Sequence, residues 1–159
     1  MKTNSKGFSL IELLIVVAII LIIAAIAIPN LLRSRIAANQ ASAVGSLRTL
    51  NTAEITYSST YNSGFSATLW YLQPGTAATP NSTAAGLIDS VLAVGSKSGY
   101  TFTYAEPGTD TAGRIDNYSI TAVPINSSTG TNYYYTDQSG VIRQNSTTTA
   151  SSTDSPLAG

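Results

Sequence analysis

Apolar residues are spread so unevenly along this chain that their pattern alone divides it. From Leu13 to Ile28 every residue is apolar, and Phe8-Ser9-Leu10-Ile11-Glu12 leads into that run. At roughly 1.5 Å of rise per residue, a helix from Phe8 to Ile28 is about 31 Å long, which matches the hydrocarbon thickness of a bilayer. Helical periodicity continues beyond it, because Leu32, Ile36, Ala43, Leu47 and Leu50 recur at spacings of four, seven, four and three, with Ala37, Ala41 and Val44 broadening the stripe. Arg33, Arg35, Asn39, Ser42, Arg48 and Asn51 occupy the other positions. The pattern predicts one long helix, apolar all round over residues 8–29 and amphipathic over 30–61, so that only its second half has a domain to pack against. Pro29 lies inside it and removes an i to i−4 hydrogen bond, which predicts a helix kink just before it.

After Tyr61 the texture changes. Asn62-Ser63-Gly64, Gln73-Pro74-Gly75 and Thr79-Pro80-Asn81-Ser82 are turn signals, and residues 62–99 read as a loop region. Within it Leu87, Ile88, Val91, Leu92 and Val94 carry helical spacing closed by Gly95, with Ser82 or Thr83 as the expected cap. Residues 100–144 turn to period two: Tyr100, Phe102 and Tyr104 alternate with Thr, and Tyr118, Ile120 and Ala122 alternate with Ser119 and Thr121. Two further strands, 131–136 and 141–144, flank Asp137-Gln138-Ser139-Gly140, a loop of hairpin length. Residues 145–159 form a polar tail rich in Ser and Thr, expected to be loosely packed. The predicted fold is therefore α+β, a long N-terminal hydrophobic helix packed against a three- or four-stranded antiparallel sheet.

Charge and composition narrow the function classes. The 159 residues carry eight Lys+Arg and eight Asp+Glu, and charged residues are 10% of the chain, so no basic face for nucleic acid exists. Cys and His are absent, which removes thiol and imidazole catalysis, zinc sites of those ligands and disulfides from this chain. No group suited to general base work near neutral pH is visible, so the reading is not an enzyme, with no catalytic residue and no cofactor. Asp110, Asp116 and Asp137 do not follow an EF-hand spacing and are explained as turn residues, so no metal site is assigned. The nine Tyr, densest at Tyr133-Tyr134-Tyr135, fit strands with an apolar body and a polar tip. Lys2 and Lys6 are the only charges ahead of the apolar run; basic flanks stay cytoplasmic, which turns the remainder outward.

The segment Gly7-Phe8-Ser9-Leu10-Ile11-Glu12-Leu13-Leu14-Ile15-Val16-Val17-Ala18-Ile19-Ile20, continuing through Ala24-Ala25-Ile26-Ala27-Ile28-Pro29, resembles the N-terminal segment of type IV pilins and the related type II secretion pseudopilins. The resemblance covers about the first third of the chain. It implies a leader, residues 1–7, removed between Gly7 and Phe8 by a prepilin peptidase, with N-methylation of Phe8. It implies a homopolymer built by an inner-membrane platform and a cytoplasmic ATPase, residing in the inner membrane before assembly and in an extracellular pilus afterwards. Adhesion, surface motility or DNA uptake are the uses it suggests, and a pseudopilin acting as a periplasmic piston is the neighbouring reading. Two departures stand out: Leu21 occupies a position where many relatives have Gly, and no Cys is present to close the C-terminal region.

Glu12 interrupts the apolar segment, and an ionised carboxylate at a membrane centre costs about 2.5–3.5 kcal/mol. Leader removal would create an ammonium on Phe8 one turn away, able to meet Glu12 of the same or a neighbouring chain; a pair between chains would fix subunit register. A carboxylate five residues into a spanning helix can instead reach the headgroups. Ala25-Ile26-Ala27 also fits a secretory cleavage site ahead of Ile28, and an uncleaved anchor fits the same residues. Either would make the sheet a tethered or secreted binding domain. The mature start separates these readings: Phe8 for a filament subunit, Ile28 for a secreted domain, Met1 for a tether.

Overall fold

The computed structural model describes residues 7–76, 79–106, 108–110 and 112–157. Helix α1 runs from Leu10 to Tyr61, followed by a 3-10 turn, Leu69–Leu72, and a single-turn helix α2, Ser90–Ala93. Five strands follow: β1 (Ser96–Lys97), β2 (Tyr100–Ala105), β3 (Ser119–Pro124), β4 (Tyr133–Asp137) and β5 (Arg143–Asn145). They form one antiparallel meander in the order β1-β2-β3-β4-β5. The α+β class and the antiparallel sheet are as the sequence predicts. The fifth strand is β1, whose two residues are too few to display an alternation.

The chain divides into two compact units, residues 1–35 and 36–159. In the second, Ala43, Val44, Leu47, Leu50, Ala53 and Tyr57 of α1 share one core with Tyr100, Phe102, Tyr118, Ile120, Ala122 and Tyr134. The burial alternation along β2 and β3 puts the aromatic and branched residues inward and the Thr residues outward. Pairing sets Phe102 opposite Ala122 and Ala122 opposite Tyr134, so a small side chain sits between two large ones. Gly130 approaches the Tyr100 ring so closely that a Cβ there would collide with it, while the Tyr100 hydroxyl donates to Asn132 O at 2.8 Å. Only a residue without a side chain lets this loop close over the ring.

Three expectations are corrected. The cap of the short helix is Asp89, not Ser82 or Thr83: its Oδ1 accepts from Leu92 N at 2.9 Å, and the helix begins three residues later than its apolar spacing suggested because Leu87 N and Ile88 N both donate to Leu72 O instead. Gly95 (φ 80°) does end it, donating to Leu92 O. Asn51, placed on the solvent side by its position on the helix, is buried. The tail is ordered by pairing: Gln144 N donates to Ser155 O and Leu157 N to Ile142 O, while Ala150 is buried. Asp154 ties the return, its carboxylate accepting from Asn145 Nδ2, Ser151 N and Ser151 Oγ, and its carbonyl from Arg143. Side-chain bonds of Ser, Asn and Asp do here what apolar residues do elsewhere.

Candidate functional site: the N-terminal helix

The apolar run forms the first part of α1, and nothing among the described residues covers it. Leu10, Ile11, Leu13 and Leu14 are all more than half exposed, as are Leu21, Ile22, Ile23, Ile26 and Leu31. Among the described residues one helix is long and apolar enough to cross a membrane, and none of its apolar stretch is buried. Removing a Leu or Ile side chain from water is worth about 1.5–3 kcal/mol, so this surface cannot stay in water and must be covered by lipid or by other protein.

At its start the backbone is fixed by one carboxylate. Leu13 N donates to Ser9 O at 3.2 Å, which makes Ser9 the residue flanking the helix, and Ser9 N donates to Glu12 Oε2 at 2.9 Å. This is the reaching-back half of a capping box, in which a residue three positions in satisfies an amide that the helix leaves without a partner. Ser9-x-x-Glu12 is the sequence signal for it, and Ser9 is the site residue that sequence reasoning missed. Glu12 also places negative charge at the positive end of the helix dipole. Glu12 and Phe8 are both exposed, Phe8 strongly so. A new amino group on Phe8 would therefore enter a place where the carboxylate already holds one N–H and has lone pairs to spare.

Gly7 is exposed with open space around it. The remaining leader positions, with Lys2 and Lys6, lie outside the described residues. Pro29 lies within α1, which stays helical on both sides of it, and its ring leaves the Ala25 carbonyl without the usual amide. Leu21 is exposed like its neighbours. The acidic residues set aside as metal ligands engage in turns: Asp110 accepts from Ala112 N and Arg114 N and pairs with Arg114 Nε at 3.2 Å, Asp116 lies 3.6 Å from the same guanidinium, and Asp137 accepts from Ser139. Among the described residues no cluster of three potential metal-binding side chains forms.

Residues 2–28 match the family model described as the prokaryotic N-terminal methylation motif. Over 36 residues the chain is 69% identical to the type IV wide pilus major component PilA4 of Thermus thermophilus, covering 23% of this chain and 28% of that protein. Over 51 residues it is 51% identical to the type IV major pilin protein PilA of Myxococcus xanthus, covering 32% of this chain and 23% of that protein. The chain thus spans about a quarter of the length of the curated relatives it matches. No solved structure matches. The likeness to type IV pilins is supported by both a family model, which matches residues 2–28, and curated relatives.

Proposed function

We propose that this chain is a structural subunit of a type IV pilus. The observation that carries the reading is the uncovered apolar helix headed by a single carboxylate, inside a segment that matches an N-terminal methylation motif. In this reading a prepilin peptidase cuts between Gly7 and Phe8, Phe8 is N-methylated, and the helix waits in the inner membrane with the sheet outside the cytoplasm. Subunits then stack their apolar halves into a homopolymeric filament, handled by a platform and ATPase that are other chains. The role is structural rather than catalytic, and the filament serves adhesion, surface motility or DNA uptake.

Physics assigns the choice between membrane and polymer to Glu12. Apolar side chains are covered equally well by lipid and by neighbouring helices, so hydrophobicity drives neither direction strongly. An ionised Glu12 is costly in hydrocarbon and neutralised beside the Phe8 ammonium of an adjacent subunit, so it favours the polymer and one axial register. Pro29 is where the packed helix bends, since the Ala25 carbonyl has no amide to hold it.

The test is the N-terminal peptide mass of the protein in filaments sheared from native cells. A methylated Phe8 start in that fraction supports the pilin. A Phe8 start confined to the envelope points to a pseudopilus, and a Met1 or Ile28 start removes the filament reading.

A further inference from the structure

One end of the sheet in the second unit gathers polar side chains that the fold itself does not use. Antiparallel pairing places Ala105, Ser119 and Asp137 in one row across β2, β3 and β4. Tyr135 stands in the next row on the same face, since the intervening Ile120 and Thr136 are buried. Beside these rows lies a cavity of about 420 Å³, to which Tyr135, Asp137, Ser119, Asn117, Gln138 and Glu106 contribute. Its size falls within the range of small-molecule sites, roughly 300–1,000 Å³.

Elsewhere in this unit polar side chains are spent locally. Asn81, Asn126 and Asn145 each accept through Oδ1 from a hydroxyl two residues on, and the Asp154 carboxylate holds three donors. Around the cavity the pattern is different. Glu106, Asn117 and Gln138 form no side-chain hydrogen bond with the described residues, and Asp137 commits Oδ1 to the amide and hydroxyl of Ser139. Among the described residues no Lys or Arg lines the cavity. Arg143, opposite Tyr135 on β5, donates to the Asp154 carbonyl instead.

Each part of this lining selects a ligand chemistry. Two carboxylates without a cation beside them repel phosphate, sulfate and carboxylate groups. Amides and hydroxyls donate as well as accept, and carboxylate oxygens accept strong bonds from hydroxyls, which suits a ligand dense in hydroxyl groups. A single exposed tyrosine ring offers one flat apolar face, which matches the C–H face of a sugar ring, whereas an alkylammonium group is held by a cage of several rings. We propose that this cleft is a carbohydrate-binding site, taking a neutral sugar whose ring lies against Tyr135 and whose hydroxyls bond to Asp137, Asn117 and Gln138. The proposal concerns the second unit alone and does not depend on the pilus reading.

Saturation-transfer NMR on the full chain, in micelles of a detergent without a sugar headgroup, tests it with lactose, maltose and cellobiose as probes. The wild type should transfer saturation to the C–H protons of at least one of them. Tyr135→Phe keeps the ring and should keep the transfer, while Tyr135→Thr, which suits a strand but has no ring, should lower it about fivefold or more. Asn117→Ala, which removes hydrogen bonds alone, should lower it about twofold or more. If a variant fails to fold, wild-type amide shifts on adding the same sugar carry the test, and the changes should cluster at residues 117–119 and 135–138. No transfer to any of the three sugars, equal transfer in the wild type and Tyr135→Thr, or shift changes lying away from the cleft would overturn the proposal. A cleft that responds to calcium chloride while ignoring all three sugars would overturn it too, in favour of a cation site.

Discussion

The two units of this chain solve opposite problems. Residues 10–35 form helix with an apolar exterior that nothing among the described residues covers, so chemistry there is concentrated in single departures from monotony: Glu12, Pro29, and the exposed Arg33 and Arg35 at its end. Residues 36–157 bury an apolar core of their own, and what distinguishes that core is polar. Asn51 Nδ2 donates to Thr136 Oγ1 and Gly140 O, while its Oδ1 accepts from the Tyr118 and Thr136 hydroxyls, so one buried amide links α1 to β4, the β4–β5 turn and the residue ahead of β3. With no Cys available, networks of this kind hold the C-terminal half. One unit depends on other molecules for completion and the other on distant parts of its own sequence.

A substitution confined to the first unit should therefore separate assembly from folding. Glu12→Ala and Glu12→Gln are expected to lower sheared-filament yield at least tenfold, with Glu12→Asp falling between them and the wild type. Thermal unfolding in micelles should stay where it is, since among the described residues Glu12 bonds only Ser9 N. Wild-type filament yield in Glu12→Ala would remove Glu12 from register selection.

The second unit should show the reverse. Asn51→Ala leaves the Tyr118 and Thr136 hydroxyls without their partner in a buried site, at about 1–3 kcal/mol for each group so stranded, and releases the carbonyl of exposed Gly140 to water. A loss of about 3 kcal/mol in chemical denaturation is expected, while cleavage and methylation at Phe8 proceed normally. A loss below about 1 kcal/mol would show that water replaces the amide. Ala122→Leu tests packing in the same core: inserting methylenes between Phe102 and Tyr134 should cost about 1–3 kcal/mol. Ala122→Gly, which leaves room instead of filling it, should not reproduce the aromatic near-ultraviolet change that overpacking brings.

The same contrast explains what could be read from the sequence. An apolar run and a period-two alternation of Tyr and Thr are local signals, so the helix and strands β2 to β5 were legible as elements, with β4 and β5 beginning two residues later than the pattern predicts. Asn51 and Glu54 were not, because helical periodicity assigns polar residues to solvent, and their partners lie elsewhere: Thr136 is 85 residues from Asn51, and Ser66 lies beyond the end of the helix that carries Glu54. The tail was misread for a related reason. Its composition lacks apolar residues, and composition does not reveal that Asp154 and Asn145 hydrogen-bond to each other. At the N-terminal site Glu12 was visible as an anomaly, whereas its capping bond was legible only in the spacing from Ser9.

The smallest expected effect tests the least apolar part of the second unit. The Asp154 carboxyl is held below its ordinary pKa, first by the Ser151 amide and then by Asn145 and the Ser151 hydroxyl, with Arg143 adding a favourable charge; burial opposes them. A carboxylate whose pKa is lowered on folding contributes its stabilisation above the unfolded value and loses it as pH falls through the lowered one. The tail should therefore resist limited proteolysis near neutral pH and become more susceptible below about pH 4, the ordinary Asp range, ahead of the sheet. Asp154→Asn keeps the shape but removes the titration, so its susceptibility should be nearly independent of pH and close to that of the acidified wild type. Equal profiles for the two proteins would place the tail's order in the Gln144–Ser155 and Ile142–Leu157 backbone bonds alone, and would make the second unit less dependent on side-chain networks than its core implies.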